Sequence, residues 1–160
     1  MTIYEVRTRI VGKRHRVILL TGGWKDSKSM ENLHGIEIHR FDKNIAPHLA
    51  LPVFLLKHRF DLVVNDLGHA VPWISSTFLN KHNIVFFRHP HSRSLLWQVN
   101  PFLAKVITAI EKFYFIIYHN AIFATESTTS KNDLLKLGIR ENKVIMNPPS
   151  VDLDLFHPAA

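Results

Sequence analysis

No cysteine occurs among the 160 residues, which excludes disulfides, thiolate metal sites and a cysteine nucleophile. Glycine is scarce, at six residues, and none of them builds G-x-G-x-x-G or G-x-x-x-x-G-K-[ST]. Gly22-Gly23 after an apolar run is the nearest approach, so a dinucleotide or P-loop site is rejected. Acidic residues are also short: thirteen against twenty Lys and Arg, a net charge of +7, with eleven histidines able to add to it below neutral pH. That surplus suits an anionic partner, whether nucleic acid, an acidic membrane surface or a phosphorylated substrate. Long apolar runs are missing too. The longest, Phe113 to Ala124, is broken by His119 and Asn120 and is too short to span a bilayer. Met1 is followed by mixed polar residues instead of the apolar core of a signal peptide. Together with the absence of cysteine, this fits an intracellular protein.

What is present is a folded domain's worth of apolar residues, 46%, arranged in alternating short runs and helical periods. Ile3 to Val11 spaces its apolar residues like a helix ended by Gly12. His15 to Thr21 reads as a buried strand closed by the two glycines, and Trp24 to His34 as a loop. Gly35 to Phe41 alternates, Ile36 and Ile38 against Glu37 and His39, like a half-buried strand. A helix should start at Pro47 and reach His58, delayed or kinked by Pro52. Strands at Leu62 to Val64 and Ile84 to Phe87 flank a short helix at Pro72 to Asn80. Asn100-Pro101 is the clearest helix start, and Phe102, Val106, Ile110, Phe113 and Ile117, at steps of three and four, predict a helix running to about Tyr118. Its other faces are apolar as well, so it is either deeply buried or meets a second apolar surface. Ala121 to Thr125 and Lys143 to Met146 are short strands around a helix capped at Ser127 or Thr128 and ended by Gly138. Strands alternating with helices predict an α/β domain with a mainly parallel sheet.

Two of these strands run straight into polar clusters. Asn65, Asp66 and His69 follow the first, and Arg88, His89 and His91 the second. In parallel α/β sheets ligands bind outside the strands' carboxyl ends, so this edge is the candidate site. His89 and His91, with Asp66 and His69, offer metal-ligand chemistry, but no second spacing motif supports it. An imidazole bonding a hydroxylated substrate, with Arg88 or Arg93 holding a phosphate, is the simpler reading. Asp66 either orients hydroxyls or acts as a base, or it is a turn aspartate before Gly68. The Ser127 to Ser130 cluster reads as a helix cap, since no G-x-S-x-G surrounds it, although a cap exposes N–H groups to an anion. Arg7, Arg9, Lys13, Arg14 and Arg16 form a solvated basic face or, with the aromatic helix Phe102 to Tyr118, an anionic-membrane contact. No nucleic-acid module pattern occurs, and no nucleic-acid partner is expected.

The stretch STTSKNDLLKLGIRENKVIMNPPSVDLDLFHP, residues 127–158, resembles the hinge region of retaining glycosyltransferases of family 4, which have the GT-B architecture of two Rossmann-like domains. Their usual pattern is a helix ending in L-x-x-L-G-I, a K-[IV]-x-V-I-P-N-G-V-D run and F-x-P. Pro149 and Ser150 stand where the family has Asn-Gly. Upstream, DLVVNDLGHAVPWISSTFLNKHNIVFFRHPH is similar to the family's D-[VI]-V run, proline-aromatic helix and strand ending in histidine. VNPFLAKVITAIEKFYFIIYHN is similar to its long following helix.

The resemblance implies one Rossmann-like half of a GT-B fold, helices on both faces of the sheet, with residues 1–147 as an acceptor-side domain and 148–160 as linker and start of hinge. It implies His89 as the catalytic, acceptor-side histidine, with Asp66, His69, Arg88, His91 and Arg93 lining the acceptor cleft. Ser127, Pro149 and Ser150 fall at the hinge and its anion-binding turn. No metal and no cofactor are expected in this chain; a nucleotide-sugar donor would bind a carboxy-terminal domain beyond Ala160, and the family's first strand would precede Met1. Its omission predicts a rearranged sheet, or a homo-oligomer through exposed sheet edges. The expected function is acceptor binding in sugar transfer to a lipid-linked or glycan hydroxyl, inactive alone. A stand-alone non-catalytic binding module is the alternative. The expected location is cytoplasmic, with the inner membrane face left open by the basic patch.

Overall fold

The computed structural model describes residues 10–41, 46–67, 73, 82–90 and 100–149. The chain divides into two compact units, Met1–Val53 with Pro149–Ala160, and Phe54–Pro148.

The first unit holds a three-stranded sheet of order β1-β3-β2, formed by β1 (Val17–Gly22), β2 (Met30–Leu33) and β3 (Ile36–Phe41). β1 and β3 are parallel, and β2 and β3 antiparallel with Leu33 opposite Ile36. The segment read as a loop thus contains a strand. Its MENL sequence lacks the β-branched and aromatic residues that mark one; the hairpin is made by its two-residue turn. His34 and Gly35 both have positive φ, 49° and 82°, as the hairpin-compatible I′ turn requires, and Asn32 Oδ1 accepts a hydrogen bond from Gly35 N at 3.0 Å. A Cβ at Gly35 would meet Val11 Cγ1 at 2.6 Å. Ile36 and Ile38 are buried, as their alternation predicts. On the sheet's other face Arg16 donates to Glu37 at 2.9 Å and His39 to the same carboxylate at 2.6 Å. The two donors, Arg16 first, hold the Glu37 carboxyl below its usual value. Among the described residues β1, an apolar VILLT run, pairs on one side only.

Helix α1 (Ala46–Lys57) crosses the division between the units. Pro52 lies inside it and does not delay its start; the missing N–H removes one internal hydrogen bond without ending the helix.

The second unit carries a four-stranded parallel sheet of order β4-β5-β6-β7: β4 (Val63–Asp66), β5 (Asn83–Phe87), β6 (Ile122–Thr125) and β7 (Val144–Met146). Among the described residues the strands therefore form two sheets, not one continuous sheet. Around the second are α2 (Pro101–Lys112), α3 (Tyr114–Ile117) and α4 (Thr128–Lys136). The caps are those read from the sequence. Asn100 accepts from Phe102 N at 2.8 Å before a proline at the first helical turn, and Ser127 accepts from Ser130 N at 3.1 Å. Gly138, at φ 91°, follows α4. Leu67, Val85, Phe87, Tyr118, Phe123 and Leu134 make the core.

One expectation is overturned inside this unit. The helix from Pro101 breaks at Phe113 and does not run unbroken to Tyr118; its buried residues are Ala104, Ile107 and Glu111, while Phe102, Val106 and Phe113 of the apolar set are exposed. The apolar period marks one face, and the side turned inward is another, where the small Ala104 lies. No described helix is long and apolar enough to cross a membrane.

Candidate functional site

Asp66, the last residue of β4, is in register with Phe86, and Phe87, the last of β5, with Thr125, the last of β6. Parallel strands point their carboxyl ends one way, so Asp66, Arg88, His89, Thr125 and Ser127 gather at one edge. Backbone bonds extend the order past the strands: Leu67 N donates to Phe86 O at 3.0 Å and Asn147 N to Thr125 O at 2.7 Å.

The chemistry at this edge is mixed. Arg88 Nη2 lies 3.8 Å from Asp66 Oδ2, both side chains being partly exposed. That is an ion pair without a hydrogen bond, worth about 0–1 kcal/mol in so wet a setting. Both groups therefore keep most of their bonding capacity: Arg88 has five N–H donors in a planar fork, and a carboxylate accepts through two oxygens. The Asp66 Oδ1 atom is buried and has no hydrogen-bond partner among the described residues, an arrangement that costs about 1–3 kcal/mol where no water or other group satisfies it. His89 is exposed on the same edge.

Two sets of contacts hold these groups in place. Trp73 Nε1 donates to Asp66 O at 3.4 Å, and Trp73 N donates to the buried Tyr118 hydroxyl at 2.8 Å. On the other side a hydroxyl relay runs from Ser127 Oγ to Ser130 Oγ at 3.0 Å, and Ser130 Oγ donates to the Arg88 carbonyl. The start of α4 is thereby tied to the exit of β5. Ser127 is fully engaged as the cap, accepting from one group and donating to another.

Of the residues singled out from the sequence, the structure pairs Asp66 with Arg88 and puts His89 and Ser127 on the same edge. Asn65 instead turns into the sheet, buried, its amide 3.5 Å from Asn83. Pro149 is exposed coil after β7 and groups with the other compact unit. His69, His91, Arg93 and Ser150 lie outside the described residues. Among the described residues no three His, Asp or Glu are grouped as a metal would need. One residue was missed. Thr125 is 1% exposed and its hydroxyl is buried, with no hydrogen-bond partner among the described residues; like Asp66, it is a polar residue closing an apolar run. Ser130 is legible as part of the cap cluster, but its bond to the Arg88 carbonyl gives no signal, because Arg88 is distant in the chain. A cavity of about 220 Å³ lined by Tyr118, Phe123, Ile139 and Arg140 borders Ala121 and Lys143, at the amino ends of β6 and β7, and is remote from this edge.

A family model described as Glycosyltransferase Family 4 matches residues 1–155. No curated protein matches the chain, and no solved structure does.

Proposed function

The chain belongs to glycosyltransferase family 4, and on that premise we propose that it is the acceptor-binding domain of an enzyme moving a sugar from a nucleotide-sugar donor to a hydroxyl of a lipid-linked or glycan acceptor. The observation that carries the reading is the pairing of a carboxylate with a guanidinium, Asp66 with Arg88, at the carboxyl ends of adjacent parallel strands, with His89 next along the chain at the same edge. A sugar hydroxyl both donates and accepts, so Asp66 takes its proton side and the His89 ring either side. The Arg88 fork suits a phosphate on the acceptor. The family resemblance assigns His69, His91 and Arg93 to acceptor binding as well, and Ser127, Pro149 and Ser150 to the hinge.

In the transfer, the bond between the sugar's anomeric carbon and the nucleotide's phosphate oxygen breaks, its electron pair leaving with the nucleotide, and the acceptor oxygen forms the new bond as its hydroxyl proton passes to the departing phosphate. His89 contacts the acceptor or the transferred sugar during that exchange, and Arg88 steadies anionic groups. The donor nucleotide is held by a domain other than this one, so residues 1–160 bind acceptor without turning it over.

The test pairs binding with turnover. Octyl glycosides, with and without a phosphate on the sugar, are titrated into the protein, and the same mixtures are assayed for transfer from labelled nucleotide sugars. The expected result is saturable binding without transfer. Transfer by the chain alone would overturn the division of labour, and absence of binding to every glycoside would overturn the acceptor role.

A further inference from the structure

The cavity of about 220 Å³ at the amino ends of β6 and β7 has apolar walls and a basic mouth. Its walls belong to the core: Tyr118, Ala121 and Phe123 are each 1% exposed and Ile139 6%, and all four sit in the buried cluster of the parallel unit. The Tyr118 and Phe123 rings meet edge-on there. The shape of the cavity is therefore set by packed side chains and exists before any ligand arrives. Gly138, which also lines it, adds no side chain that could close it.

The charged lining is of one sign. Arg140 is exposed and Lys143 half-buried, His119 is exposed as well, and no Asp or Glu lines the cavity. The acid nearest in the chain, Glu141, is drawn away to α4, where Lys131 donates to it at 2.7 Å. Neither Arg140 nor Lys143 has an ion pair among the described residues. His119 donates from Nδ1 to the Ile116 carbonyl at 3.2 Å, which leaves Nε2 to solvent or a ligand. Two cations without acids beside apolar walls concentrate positive potential at the mouth, and the planar guanidinium fork matches a carboxylate.

Size selects the rest of the ligand. An apolar cavity of about 150 Å³ takes up benzene, whereas pockets for drug-sized molecules begin at about 300 Å³. At about 220 Å³ this cavity holds a single ring with a short acidic arm and is too small for a nucleotide or an octyl glycoside. We infer that it is a binding site for a small aryl carboxylate, the ring lying against Tyr118, Phe123 and Ile139 and the carboxylate meeting Arg140 and Lys143. A bare inorganic anion would leave the aromatic walls wet, and a neutral aryl ligand would leave both cations without an acid. The inference goes beyond the acceptor role and does not depend on it, because Asp66 and Arg88 lie at the other end of the strands.

Titration of phenylacetate into the isotopically labelled whole chain, up to about 10 mM, tests it, with acetate supplying the charge alone and benzyl alcohol the ring alone. Saturable NMR shifts are expected at Ala121, Gly138, Ile139, Arg140 and Lys143, with a rise in Tm by mass action. Acetate and benzyl alcohol should each bind about tenfold or more weakly. Replacing both cations (R140Q with K143Q) should weaken phenylacetate binding by about tenfold or more and leave benzyl alcohol binding unchanged. These side chains carry no ion pair among the described residues, so the variant keeps the fold, checked by its melt without ligand. The absence of saturable shifts at these residues, equal affinity for benzyl alcohol, or undiminished affinity in the R140Q/K143Q chain would overturn the inference. So would phenylacetate shifts at Asp66 and Arg88 instead, which would give the anion to the acceptor edge. The acceptor reading is tested with glycosides at that other edge, so the two can fail separately.

Discussion

Tyr118 joins the core of the parallel unit to its functional edge, and removing one atom from it measures that joint. The ring is 1% exposed and meets Phe123 edge-on, with centroids 6.0 Å apart at 89°. Its hydroxyl accepts the Trp73 backbone N–H at 2.8 Å, and the Trp73 indole donates to Asp66 O at 3.4 Å. Tyr118→Phe keeps the ring and the edge contact and deletes the acceptor. The Trp73 N–H is then left in a partly buried place without its partner, at a cost of about 1–3 kcal/mol. For a chain of this length each kcal/mol lowers Tm by about 2–4 °C, so a drop of about 2–12 °C follows. Thermal melts by circular dichroism, with the urea midpoint as a second reading, would measure it. Tyr118→Ala, which also empties the ring's space, should cost about 3–5 kcal/mol. A Tyr118→Phe melt within about 1 °C of the unaltered protein would refute the reasoning, because it would mean the bond contributes nothing.

Three further outcomes are expected. Ser127→Ala removes the cap of α4 and the relay to the Arg88 carbonyl, and should cost about 0.5–2 kcal/mol in urea denaturation; Thr129→Ala, exposed in the same turn, should cost much less. Leu134→Ala, at a fully buried core position, should cost about 2–5 kcal/mol by the same measurement. The Glu37 carboxyl, held down by Arg16 and then His39, contributes stability above its usual value of 4.5 that disappears as pH falls through the lowered folded value. Glu37→Gln should flatten the urea midpoint across that acid window, more visibly at low salt because the pair is solvated; parallel profiles for the two proteins would contradict the assignment.

Much of this architecture is legible in the residue order. The strands of the parallel unit are short apolar runs, and the helix starts at Asn100-Pro101 and Ser127 are local hydrogen-bond chemistry that the structure repeats. Asp66, Arg88 and His89 are legible for a related reason: each follows an apolar run, and parallel pairing puts such run ends side by side. What escapes is set by contacts between distant segments or by backbone angles. β2 escapes because MENL has little strand character and its turn depends on positive φ at His34 and Gly35. The inward face of α2 escapes because the apolar period marks Phe102, Val106 and Phe113, whereas the side turned inward is Ala104, Ile107 and Glu111. Thr125 looks like an ordinary β-branched strand residue, and only its enclosed, unpartnered hydroxyl sets it apart. Ser130 is legible as part of the cap cluster, but its tie to the Arg88 carbonyl is not, since it joins segments distant in the chain.

The most direct test of the account is where an acceptor analogue binds. A phosphorylated octyl glycoside is titrated into isotopically labelled protein while backbone amide signals are followed by NMR. The account predicts shifts concentrated at Asp66, Leu67, Arg88, His89 and the first turn of α4. It also predicts affinity lowered about tenfold or more by Arg88→Ala, from loss of a charge-assisted contact, and lowered by His89→Ala. Shifts gathered instead around Tyr118, Ile139 and Arg140 at the opposite end of the sheet, with unchanged affinity in both variants, would contradict it.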